Sequence, residues 1–140
     1  MSTVRIGLVL AMLALAGCST AHHKQTASAK PESTATKFIL FFHPWSYQLT
    51  PEAQVIVNHA AEVVKETSPS TVAVAGYTDS DGSAADNWRL AKQRVASVQE
   101  AMIADGVDPK LFLSIPLGTP DDTVGMTGDR RIEIRLTYGN

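Results

Sequence analysis

The chain has 140 residues, 44% hydrophobic and 19% charged, with a formal net charge of −2. That length suits one globular domain and leaves no room for two well-buried cores. The near-neutral balance excludes a basic nucleic-acid groove or an electrostatic hold on an anionic membrane. A single cysteine excludes an intrachain disulfide framework.

Arg5 is followed by an apolar run from Ile6 to Ala16. A bilayer-spanning helix needs about 20 apolar residues, so this run is too short. It has the form of a secretory signal: a short basic start, an apolar middle, then small residues. Leu15-Ala16-Gly17-Cys18 resembles the lipobox of bacterial lipoproteins. The resemblance implies a signal peptide over residues 1–17, removed so that Cys18 becomes the lipidated N-terminus. Several acyl chains give stable anchoring where one gives only marginal binding. An ordinary signal peptide with an unrelated cysteine, or a buried helix with a structural thiol, is the alternative reading. Ser19 in place of an aspartate implies the outer membrane, by resemblance to enterobacterial sorting rules.

Residues 18–36 are rich in Ser, Thr, Ala and Lys with almost no large apolar side chain. Such a segment cannot offset its ordering entropy, so a disordered linker is expected. His22-His23 without partners is a weak metal signal, and no metal or cofactor is expected.

The folded domain is expected over residues 37–140. Phe38 to Phe42 is an apolar run of strand length, consistent with a strand covered on both faces. Pro44 ends it. Thr50-Pro51-Glu52 reads as a helix start, with Thr as N-cap, Pro at the first position and an acid in the first turn. This helix should run to about Thr67 with Ile56, Ala60, Val63 and Val64 buried. Thr71 to Tyr77 reads as a second strand, and Asp79-Ser80-Asp81-Gly82 as a loop. A second helix is expected from about Ser83 to Ala104, burying Ala91, Val95, Val98 and Met102, with Gly106 terminating it. Leu111 to Leu117 is a third strand and Pro120 to Gly128 a polar loop. Arg130 to Tyr138 is a strand that alternates Ile132, Ile134 and Leu136 with Arg131, Glu133 and Arg135. The order β-α-β-α-β-β predicts an α+β two-layer sandwich, a mixed sheet with two helices on one face.

Gly76-Tyr77-Thr78-Asp79-Ser80-Asp81-Gly82 leaves a strand and enters a helix carrying Asn87, Leu90 and Arg94. These residues resemble the peptidoglycan-binding signature of OmpA-like C-terminal domains, shared with the lipoprotein Pal and the stator protein MotB. The family pattern is G-x-T-D, a short loop, then N-x-x-L-S-x-x-R-A; Gly128-Asp129-Arg130-Arg131-Ile132-Glu133 resembles its closing N-R-R-V-E. The resemblance spans roughly Lys37 to Tyr138. It implies a pocket for diaminopimelic acid of the peptidoglycan stem peptide, with Asp79 facing the distal ammonium and Arg94 the distal carboxylate. A planar guanidinium suits bidentate carboxylate capture. Thr78, Asn87, Leu90 and Arg130 would support the same pocket. On the residues alone, Asp79 and Arg94 also fit a mutual surface ion pair. An EF-hand is excluded, because the twelfth residue from Asp79 is Leu90.

The resemblance implies a non-catalytic outer-membrane lipoprotein that faces the periplasm and tethers membrane to wall, with other envelope proteins as further partners. No Ser-His-Asp set, HExxH or Cys-His pair suggests an enzyme. A second reading is an interaction subunit of an envelope or secretion complex with weakened wall binding. It is favoured by Phe42-His43-Pro44-Trp45-Ser46-Tyr47-Gln48-Leu49, which replaces the family's aromatic-acid opening and holds no acid.

Overall fold

The computed structural model describes residues 35–120 and 125–139. The expected signal peptide, the Cys18 lipidation site and all but the end of the expected linker lie outside the described residues. The strands are β1 (Thr36–Phe41), β2 (Thr71–Tyr77), β3 (Phe112–Gly118) and β4 (Arg131–Thr137). The helices are α1 (Pro51–Thr67), α2 (Ala84–Ala104) and a short α3 (Met126–Asp129). The sheet order is β1-β4-β2-β3, with β2 and β3 parallel and the other pairs antiparallel. This is the expected α+β sandwich, with α1 and α2 over one face.

Local chemistry explains the element boundaries. Thr50 Oγ1 accepts from the Ala53 amide at 3.2 Å, and Ser83 Oγ accepts from the Asp86 amide at 3.1 Å, so both long helices begin on a side-chain cap. At the end of α2, Gly106 takes φ +95, its amide donates to Ile103 O, and the Val107 amide donates to Met102 O. That is a Schellman close, with Val107 buried beneath it. Pro109–Leu111 adds a 3-10 turn before β3.

The core lies between sheet and helices. Leu40, Val72, Val74, Ile132, Ile134 and Leu136 meet Val57, Ala60, Val95, Val98 and Met102. The buried stripe of α1 is rotated from the expected one. Ala53, Val57, Ala60, Ala61 and Val64 are buried, whereas Ile56 and Val63 sit at its margin. Small side chains let α1 pack closely, and a hydrophobicity pattern alone undervalues alanine.

Two further expectations change. β1 is an edge strand covered on one face only, leaving Ile39 38% and Phe41 49% exposed. Its apolar run resembles a doubly buried strand, but the other face of the sheet carries no layer among the described residues. The expected loop through Gly128 closes with the helical turn α3 instead.

Candidate functional site

Because β1 and β2 run alike and β4 runs against both, the ends of β1 and β2 lie beside the start of β4. The parallel β3 ends at the same edge. The segments after β1, after β2 and before β4 therefore converge, and α2 begins among them.

Gly76 makes this approach possible. A Cβ there would lie 2.8 Å from the Ala91 carbonyl oxygen and 2.8 Å from a Val95 methyl. Only a residue without a side chain lets α2 pass this close to β2. Beyond Tyr77, Thr78 donates its amide to Gly118 O at 2.8 Å. Asn87, buried on the first turn of α2, donates Nδ2 to Asp79 O at 3.1 Å and to Thr119 Oγ1 at 3.0 Å. Thr119 Oγ1 in turn donates to Asp79 O at 3.2 Å. The loop is thus pinned through the backbone of Asp79 while its carboxylate stays available for pairing. Thr78 Oγ1 and Asn87 Oδ1 are buried acceptors with no hydrogen-bond partner among the described residues.

The Asp79 carboxylate meets Arg130, whose Nη1 donates to Oδ2 at 3.1 Å. Both side chains keep a narrow opening to solvent, 12% for Asp79 and 14% for Arg130. Arg130 is steadied by Nε to Phe42 O at 3.3 Å and by Nη2 to Thr127 Oγ1 at 3.3 Å. A shallow cleft of about 250 Å³ lies against it, lined by residues that include Phe42, His43 and Thr127.

Arg94 has no solvent exposure and takes a different position from the one its spacing suggests. Its Nε donates to Ser46 O at 2.9 Å, Nη2 to His43 O at 3.2 Å and Nη1 to Tyr77 O at 3.0 Å. The guanidinium carbon stands 5.1 Å from the centre of the Phe42 ring. Burial pulls the Arg94 pKa down to about 10, against the raising influence of the Asp79 charge, so it stays protonated at neutral pH. Arg94 therefore ties the segment after β1 to the end of β2.

That segment is a turn. Ser46 donates its amide to His43 O at 3.2 Å, with Pro44 and Trp45 between. Trp45 has φ 56, so the turn is of the type II kind with Pro at its first central position. Leu90 is buried packing one turn beyond Asn87, and Cys18 lies outside the described residues. Asp129, buried, has its carboxylate 3.7 Å from Arg131 Nη1.

The sequence assigns Arg130 a supporting part and leaves Trp45 and Tyr47 open between lining the pocket and a core or rim position. Paired arginines opening a strand are a visible signal, but their neighbour depends on strand order. Pro44 signals the turn, whereas a tryptophan with positive φ has no sequence signature.

Residues 41–131 match the OmpA family. The chain is 35% identical over 102 residues to the probable lipoprotein YiaD of Escherichia coli, covering 69% of this chain and 47% of that protein. It is 30% identical over 92 residues to the peptidoglycan-binding protein ArfA of Mycobacterium tuberculosis, covering 61% of this chain and 28% of that protein. The chain thus spans about half or less of the length of these two relatives. The crystal structure of the peptidoglycan-associated lipoprotein from Burkholderia pseudomallei superposes with a TM-score of 0.63 at 22% identity, covering 72% of this chain and 89% of that one.

Proposed function

We propose that this chain, which belongs to the OmpA family, binds peptidoglycan without catalysis by taking the amino-acid head group of stem-peptide diaminopimelate between Asp79 and Arg130. The observation that carries this is the Asp79–Arg130 pair itself, one anion and one cation held at the mouth of a pinned loop. A zwitterionic head group replaces that internal pair with two external ones: its ammonium donates to Asp79, and its carboxylate accepts from the Arg130 fork. Thr78 Oγ1 and Asn87 Oδ1 offer two further acceptors at the base of the same loop. Arg94 serves from below, holding the His43–Ser46 turn in place. Each charge-assisted bond is worth about 1.5–3 kcal/mol, enough for reversible holding.

The family, and relatives named as a lipoprotein and as a peptidoglycan-binding protein, support an envelope setting. With Cys18 lipidated, the domain would face the periplasm from the outer membrane and link that membrane to the wall. The test is cosedimentation of the full chain with purified, insoluble peptidoglycan. Wild type is expected in the pellet, and Asp79→Ala, shown folded by circular dichroism, in the supernatant. A folded wild type that stays in solution refutes the reading.

A second reading, an interaction subunit of an envelope complex, is favoured by the side of the sheet that no layer covers among the described residues, where Ile39, Phe41, Leu113 and Leu117 are exposed. It gains ground if the folded chain ignores the wall.

A further inference from the structure

Trp45 is held in a conformation that its own packing does not justify. It occupies the second central position of the His43–Ser46 turn with φ 56, where glycine or asparagine is usual. Left-handed backbone at a bulky residue is strained, and such strain persists where the surroundings impose it. Yet the side chain is 59% exposed, so burial returns little. The surroundings that impose it are identifiable: buried Arg94 donates to the carbonyls of His43 and Ser46, on both sides of Trp45.

What the strain achieves is a placement. A Cβ built on Gly82 would lie 2.6 Å from Trp45 Cη2, so the indole edge rests on the Gly82 backbone. Gly82 itself has φ +93 and lies three residues beyond Asp79. The loop thus supports one edge of the indole while much of the ring remains open to water. Exposed Ser80 and Asp81 flank the contact on the loop, and exposed Tyr47 follows on the turn.

We infer that Trp45 is a stacking platform for a pyranose ring of the glycan strand, next to the stem-peptide site. An aromatic plane bordered by hydroxyl and carboxylate groups has the chemistry that recognises a sugar: carbon–hydrogen faces on the ring, hydroxyls on the polar rim. The spacing agrees. Two amino acids and the diaminopimelate side chain itself separate the distal head group from the sugar, an extended span of about 12 Å, and Gly82 is at most about 11 Å along the chain from Asp79. This inference rests on the stem-peptide reading above and extends it to the glycan.

The test titrates the full chain, in detergent, with two soluble probes. One is the stem tripeptide containing diaminopimelate; the other is the same tripeptide on its disaccharide. Wild type should prefer the disaccharide-bearing probe by about tenfold, equivalent to about 1.4 kcal/mol. Trp45→Gly should bind the two probes alike and melt no lower than wild type, because glycine suits the positive φ. Equal wild-type affinity for the two probes overturns the platform alone, as does a sugar preference that survives in Trp45→Gly. A Trp45→Gly form that melts lower and weakens for both probes equally makes Trp45 a packing residue and also overturns it. Wild type that binds neither probe removes the stem-peptide reading, and the platform with it.

Discussion

Arg130 Nη1 lies 3.1 Å from Asp79 Oδ2, joining the loop after β2 to the start of β4. The pair is internal to the domain, so anything that binds there must compete with it. Removing either partner therefore has two separable effects, on affinity and on stability. Asp79→Asn should lower stability by about 1 kcal/mol, since the pair is partly solvated and Arg130 retains its bonds to Phe42 and Thr127. Thermal melting at neutral pH checks this, and a loss of several kcal/mol would mean that the pair holds up the fold.

Arg94 should behave in the opposite way. Arg94→Ala leaves the carbonyls of His43, Ser46 and Tyr77 without their buried donor and opens a cavity beside Phe42. The expected cost is about 3–5 kcal/mol in urea unfolding. Arg94→Lys should recover part of it, because an ammonium cannot reach three carbonyls with the fork of a guanidinium. Stability near wild type for Arg94→Ala would contradict the supporting role.

Gly76→Ala is predicted to destabilise by about 2–3 kcal/mol, through overpacking against the Ala91 carbonyl and Val95. The obstacle includes helix backbone, so the domain cannot relieve it by a rotamer change. Paired Gly76→Ala and Val95→Ala changes should recover only the side-chain part of the loss. Chemical denaturation of the single and double variants measures both.

Much of this was legible in the sequence, for physical reasons tied to particular residues. Thr50-Pro51-Glu52 announced the start of α1 because capping is local chemistry. Ile132, Ile134 and Leu136 announced a half-buried strand because side chains alternate along it. The partner of Asp79 was not legible. Arg94 stood at the motif's spacing, but β4 lies between β1 and β2 and brings Arg130 to the carboxylate. Strand order is a tertiary fact that spacing does not carry. β1 read as doubly covered because its run is apolar throughout, whereas Ile39 and Phe41 face the side of the sheet that carries no layer among the described residues.

Glu133 gives the pH prediction. It is nearly buried on the open side of the sheet, with Lys37, Arg131 and Arg135 around it at 3.1, 2.9 and 2.7 Å. Burial pushes its pKa up, but the hydrogen bonds from Arg135, Arg131 and Lys37 outweigh this and bring it down to about 2. A carboxylate depressed in the folded state contributes stability that is present above its unfolded pKa and lost as pH falls through the folded one. About 2–3 kcal/mol should therefore disappear between about pH 4.5 and pH 2. Glu133→Gln should be less stable at pH 7 and show a flatter acid limb in urea midpoints measured across that range. Parallel acid limbs for the two proteins would contradict it.

The central claim is that one anion and one cation read the distal head group of diaminopimelate. It is tested most directly by calorimetric titration of the full chain with the stem tripeptide, beside a tripeptide carrying lysine at the same position. Lysine keeps the distal ammonium for Asp79 and lacks the carboxylate for Arg130. Loss of one charge-assisted bond, about 1.5–3 kcal/mol, predicts at least tenfold weaker binding of the lysine peptide to wild type. Arg130→Ala should bind the two peptides alike. Equal affinity of wild type for both peptides would contradict the account.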